Sequence, residues 1–161
     1  MIMTKTATPA FFQFRAKRGA NVWRDFEIEG SDTLEQLAQT ILDAYDFDCD
    51  HRYGFYSKLK GNKAKSDEIC ELFVDQDAGS PNENARGVYE TLIKDVFFSN
   101  KQMLFFFDYG DEWEFHLKCI DIVLPKPKVK YTRVIGSKGD APERNCSSPS
   151  PLPPSKAARM A

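Results

Sequence analysis

The stretch Asp32-Thr33-Leu34-Glu35-Gln36-Leu37-Ala38-Gln39-Thr40-Ile41-Leu42-Asp43-Ala44-Tyr45 decides the fold. Leu34, Leu37, Ala38, Ile41, Leu42 and Tyr45 recur at the spacing that lays one apolar stripe along an α-helix. Such a stripe needs a surface to cover. Asp32, with Glu35 three residues on, predicts a capping-box-like start in which the Asp32 carboxylate accepts from backbone N–H groups left unpaired in the first turn.

The residues on either side supply that surface. Upstream, Phe12, Phe14 and Ala16 alternate along Phe11–Ala16, and Val22, Phe26 and Ile28 alternate along Val22–Ile28. Side chains two apart share a strand face, so two strands joined by Arg18-Gly19-Ala20-Asn21 make a hairpin. Downstream, His51–Tyr56 reads as a third strand that Gly54 weakens. Lys58–Asp67 is a polar loop, Glu68–Asp75 fits either a short strand or a helical turn, and Asp77–Arg86 is a surface loop rich in Gly, Pro and Asn. Thr91 is placed to cap a short helix over Leu92–Phe97.

Met103–Phe107 is apolar on both faces, the mark of a central strand covered on both sides. After the turn Asp108–Glu112, the residues Trp113, Phe115, Leu117 and Cys119 face one way and Glu114, His116 and Lys118 the other. The phase slips at Ile120, where a β-bulge is expected. Val129–Ile135 reads as a last strand closed by Gly136-Ser137-Lys138-Gly139. The order of elements predicts an α+β domain: a mixed β-sheet with one main amphipathic helix across it, β-grasp-like, ending in a late β-hairpin. A ferredoxin-like order would need a second full-length helix.

The 161 residues, 42% hydrophobic and 29% charged, fit one globular domain, placed at 1–143. Beyond it, 144–161 is Pro- and Ser-rich with little apolar surface, and is expected to be a disordered basic tail. Pro151-Leu152-Pro153-Pro154 has the composition of a polyproline II ligand, with a passive tail as the plainer reading. No apolar run is long enough to span a bilayer, and no secretory pattern opens the chain, so a cytoplasmic protein with no membrane contact is expected. Cys49, Cys70, Cys119 and Cys146 lie far apart, as free thiols rather than a zinc or redox pair. Residues 1–124 carry 22 acidic against 14 basic side chains, a balance of −8, and 125–161 carry 8 basic against 2 acidic, a balance of +6. The acidic body disfavours duplex binding, whereas the basic tail allows a weak electrostatic contact with nucleic acid.

Val22-Trp23-Arg24, Asp32-Thr33-Leu34-Glu35-Gln36-Leu37, Phe107-Asp108-Tyr109-Gly110-Asp111-Glu112-Trp113 and Tyr131–Pro142 together resemble the plasmid pRiA4b Orf3-like family over roughly residues 11–143. The resemblance implies a domain carried on mobile elements, whose relatives often bear a resolvase-type name. His51 sits where the family commonly places a histidine. Phe115 stands where a histidine is frequent, and His116 is one position off. A serine resolvase needs a nucleophilic serine in an arginine-rich domain, and no such pattern occurs; nor does a nucleophile elbow, a P-loop or a dinucleotide fingerprint.

The candidate binding residues are Arg24, His51, Asp108, Asp111 and Trp113; no catalytic residue, resident metal or cofactor is assigned. Asp108, Asp111, Glu112 and Glu114 cluster at a hairpin tip, where carboxylates either hold a divalent cation or simply shape a turn, with Gly110 at positive φ and Asp108 accepting from its own turn. Arg24 falls on the apolar face of its strand and needs a partner there. Asp108 is the expected one, the alternative being that Arg24 lines an anion-binding pocket. Phe11, Trp23, Tyr56 and Tyr109 are candidates for partial exposure, as a partner-binding surface or under a second helix. The residues favour a non-catalytic binding or adaptor module with an unknown protein partner; the alternative is a metal-dependent hydrolase or nuclease using Asp108, Asp111 and a histidine.

Overall fold

A computed structural model describes residues 10–48, 51–72, 85–108, 110–125 and 132–142. The expectations for the 144–161 tail, Tyr109, Cys49 and Cys146 lie outside them. Strands β1 (Phe11–Lys17) and β2 (Trp23–Glu29) precede helix α1 (Leu34–Ala44). Then come β3 (Tyr53–Tyr56), a 3-10 turn at Lys63–Lys65, β4 (Ile69–Glu71), β5 (Arg86–Gly87), the short α2 (Ile93–Val96), β6 (Gln102–Phe107), β7 (Trp113–Val123) and β8 (Arg133–Lys138). They form one eight-stranded sheet in the order β5-β4-β3-β6-β7-β1-β2-β8, parallel between β4 and β5 and antiparallel elsewhere. This is the expected α+β mixed sheet with one main helix.

Helix α1 covers one face. Leu34, Leu37, Ala38, Ile41 and Leu42 are fully buried against Phe14, Phe26, Ile28, Phe105, Phe115 and Leu117. Burying each large side chain contributes about 1.5–3 kcal/mol relative to leaving it in water. The cap differs from expectation by one residue. Thr33, not Asp32, is the N-cap: its hydroxyl accepts from the Gln36 N–H at 3.3 Å, and Gln36 Oε1 accepts from the Thr33 N–H at 3.0 Å. The chain is still extended at Thr33, which bridges to Leu92 in β fashion. The next helix N–H groups, of Leu34 and Glu35, donate to the carbonyls of Thr91 and Val88. Thr91 therefore serves α1 rather than α2. Its hydroxyl donates to the Gly87 carbonyl, and α2 starts from Leu92 with no side-chain cap.

Strand β6 is covered on both faces as its composition requires. Met103, Phe105 and Phe107 join the core under α1, while Leu104 and Phe106 join Tyr56 and Ile69 on the other face. No second helix covers that outer cluster among the described residues; Leu59, Ala85 and the Lys63 ammonium, 3.8 Å from the Phe106 ring centroid, do so instead. Tyr56 is consequently buried; Phe11 is buried as well, both contrary to expectation, and Trp23 is half-buried. Gly54 has a reason to be glycine. The Tyr56 ring folds across it to donate to the buried Glu71 carboxylate, and a Cβ at Gly54 would lie 2.7 Å from the Tyr56 hydroxyl.

The β-bulge falls where the alternation slips. Gln13 pairs with Asp121 and Phe14 with Cys119, leaving Ile120 as the extra residue. The Glu68–Asp75 ambiguity resolves to a strand over Ile69–Glu71. The last strand runs past the expected end, through Gly136 to Lys138, and its expected start at 129–131 lies outside the described residues. The turn comes at Gly139, with φ of 78°.

Candidate functional site

The β6–β7 turn joins two of the five candidate residues, Asp108 and Asp111, and a third, His51, reaches Asp108 from the loop before β3. The Asp108 N–H donates to the Arg52 carbonyl at 2.8 Å, and its side chain is buried. Its Oδ1 accepts from the N–H groups of Gly110 at 3.1 Å and Asp111 at 3.3 Å, the self-turn bonding expected of it. Left-handed backbone was expected at Gly110; the structure has it on either side, at Asp108 (φ 62°) and Glu112 (φ 56°). Asp is among the side chains that tolerate that conformation, because it bonds its own backbone. His51, from the loop before β3, approaches the same carboxylate, with Nε2 at 3.6 Å from Asp108 Oδ2. Its ring stands edge-on to Phe107, 6.1 Å between centroids.

Asp111, Glu112 and Glu114 are exposed. Among the described residues, no group of three His, Cys, Asp or Glu side chains is placed to share a metal ion. Trp113 turns inward, edge-on to Phe47 at 5.0 Å, with the Arg18 guanidinium 4.9 Å from its ring centroid. Its indole N–H is buried without a hydrogen-bond partner among the described residues. Phe115, in place of the frequent histidine, is fully buried, 4.8 Å from the Tyr45 ring. His116 faces solvent on the opposite side of the sheet.

Arg24 does not pair with Asp108. It points to the apolar face as alternation requires, but β2 and β6 are three strands apart, roughly 14 Å at the usual strand spacing. It donates instead to three backbone carbonyls: Nε to Ala44 at 3.1 Å, and Nη1 to Trp23 at 2.9 Å and Lys138 at 3.0 Å. The guanidinium also lies 4.9 Å from the Tyr45 ring centroid. Ala44 is the last residue of α1, where unpaired carbonyls concentrate negative partial charge. The partner is therefore the end of the helix, a feature with no side-chain signature in the sequence.

Tyr45 completes this junction. Its hydroxyl donates to the buried Ala16 carbonyl at 2.7 Å. Burial pushes its phenol up to about 12, against the opposing pull of Arg24 and Arg18. Neither Tyr45 nor Arg18 was singled out from the sequence, although Tyr45 ends the helical stripe. Beside the junction, Thr40, Asp43, Ala44, Thr132, Arg133 and Val134 line a shallow cavity of about 170 Å³ between α1 and β8. Cys70 and Cys119 are free and buried, and burial pushes both thiols up to about 11.

Among solved structures, the protein of unknown function MM3350 from Methanosarcina mazei Go1 is similar, at 16% identity and a TM-score of 0.67, over 83% of this chain and 72% of that one. At that identity the likeness shows the fold. Comparison with curated proteins finds no match. The family described as plasmid pRiA4b ORF-3-like protein matches residues 16–151, spanning both the Arg24 junction and the Asp108 turn. On that match, the chain belongs to the plasmid pRiA4b ORF-3-like family.

Proposed function

We propose that this mobile-element-associated domain is a non-catalytic binding or adaptor module working in the cytoplasm. One observation carries the reading: Asp108, the buried carboxylate of the candidate site, spends Oδ1 on the N–H groups of Gly110 and Asp111. A carboxylate used this way shapes the hairpin tip. Asp111 lends its backbone to that turn while its side chain faces solvent. The free, weakly acidic thiols of Cys70 and Cys119 suit a reducing compartment.

The competing reading is a metal-dependent hydrolase or nuclease at the same tip, and the approach of His51 to Asp108 is what favours it. Thermal melting separates the two. A cation held by Asp108 and Asp111 stabilises the folded state by mass action. The binding-module reading expects no shift beyond a few tenths of a degree in millimolar magnesium, manganese or zinc, and no cleavage of phosphodiester or peptide substrates. A saturable metal-dependent rise that disappears in Asp111→Asn puts the hydrolase first.

A further inference from the structure

The outer face of the sheet, opposite α1, carries an ordered array of charge. Strand register places His116, Lys17, Trp23 and Lys138 side by side in one transverse row across β7, β1, β2 and β8. Two residues along the strands, a second row holds Gln102, Lys118, Arg15 and Asp25. Lys17, His116, Lys118 and Lys138 are exposed, and none has an anionic partner among the described residues. The sole acid within the two rows, Asp25, is held by Arg15 through bonds of 2.7 and 2.8 Å. That same guanidinium lies 3.9 Å from the Trp23 ring centroid, its side chain 38% exposed. A chain whose first 124 residues are net acidic thus sets three unpaired lysines and His116 around one aromatic side chain on an open sheet face.

We propose that this face binds single-stranded nucleic acid, the lysines and His116 meeting phosphates while a base stacks on the Trp23–Arg15 pair. Bases stack on aromatic rings and on guanidinium planes, and cationic surfaces with such platforms track single strands without strong sequence preference. An acidic protein would satisfy the lysines but not the platform. A membrane surface would ask for exposed apolar side chains among the cations; within the two rows Leu104 is buried, and the exposed Ile120, Ile122, Val134 and Ile135 lie farther along β7 and β8, outside the rows. The proposal rests on the binding-module reading and gives it a partner class.

The test is fluorescence anisotropy of labelled oligo-dT and oligo-U with the full chain, over a series of salt concentrations. Three to four phosphate contacts give a slope of log K against log salt of about −2 to −3, from ~0.7 per phosphate on a single strand. Lys17→Gln with Lys118→Gln, both exposed and checked by circular dichroism, should weaken binding at least about tenfold at low salt and flatten the slope by ~1.4. Oligonucleotide should quench tryptophan emission in the wild type and in Trp113→Phe, but not in Trp23→Phe. No binding at low salt overturns the proposal, as does preference for anionic vesicles or polyglutamate over the oligonucleotides. Binding that survives the double lysine variant and is lost when Arg144, Lys156 and Arg159 are changed to Gln assigns it to the 144–161 segment and also overturns it. None of these failures touches the metal melts, which judge the binding-module reading separately.

Discussion

Replacing Arg24 by Met tests the reassignment of that residue. The substitution keeps a long apolar stem over Tyr45 and removes the three donations to the carbonyls of Ala44, Trp23 and Lys138. Hydrogen bonds to a charged group are worth about 1.5–3 kcal/mol each, but returning a guanidinium to water in the unfolded chain regains several kcal/mol. The carbonyls left behind, one at the negative end of α1, set the net cost at about 2–4 kcal/mol. With a urea slope of about 2 kcal/mol/M, the unfolding midpoint should fall by roughly 1–2 M. Asp108→Asn keeps an acceptor for the turn and tolerates the left-handed backbone, so it should cost under about 1 kcal/mol. The two sites share no contact, and the double variant should be additive within about 0.5 kcal/mol. A coupling above about 1 kcal/mol would mean that the two charges sense each other as a buried pair, refuting the assignment of Arg24 to the helix end.

Two further outcomes follow from particular contacts. Gly54→Ala sets a methyl group 2.7 Å from the Tyr56 hydroxyl and 2.9 Å from its ring, and should cost about 1–3 kcal/mol in urea melts, with Gly54→Ala/Tyr56→Phe recovering little because the ring still collides. Tyr45 makes stability fall at alkaline pH. Its phenol is raised from 10.0 to about 12, so the neutral form is favoured on folding; that stability is fully present below pH 10 and is lost as pH climbs through 12. The loss amounts to roughly 2–3 kcal/mol at 1.36 kcal/mol per pH unit, and it should be missing from Tyr45→Phe when urea midpoints are compared across that window.

Elements whose cause is local were legible in the sequence. The α1 stripe, the two-faced β6 and the bulge at Ile120 each follow from a run of neighbouring side chains that must choose a face. Where two local solutions compete, the sequence reading took the wrong one. Asp32 with Glu35 and Thr33 with Gln36 both fit a capping box, and the β-bridge from Thr33 to Leu92 decides between them. The candidate site was legible in part. Asp108 bonds its own turn as its residue type implies, but His51 joins it from another loop across the sheet. Arg24 was recognised as a buried charge in need of a partner, and its partners are backbone carbonyls, which every residue carries and no sequence pattern marks. The cationic array on the outer face depends on strand order, since β7, β1 and β2 become neighbours only after the late hairpin packs beside the early one.

The central claim is that the Asp108 carboxylate belongs to its turn. Crystals soaked in millimolar manganese and measured for anomalous scattering test it most directly. The account predicts no peak at the hairpin tip, with Asp108 Oδ1 still accepting from Gly110 and Asp111. A peak at about 2.2 Å from carboxylate oxygens of both Asp108 and Asp111, with those two N–H bonds broken, would contradict it.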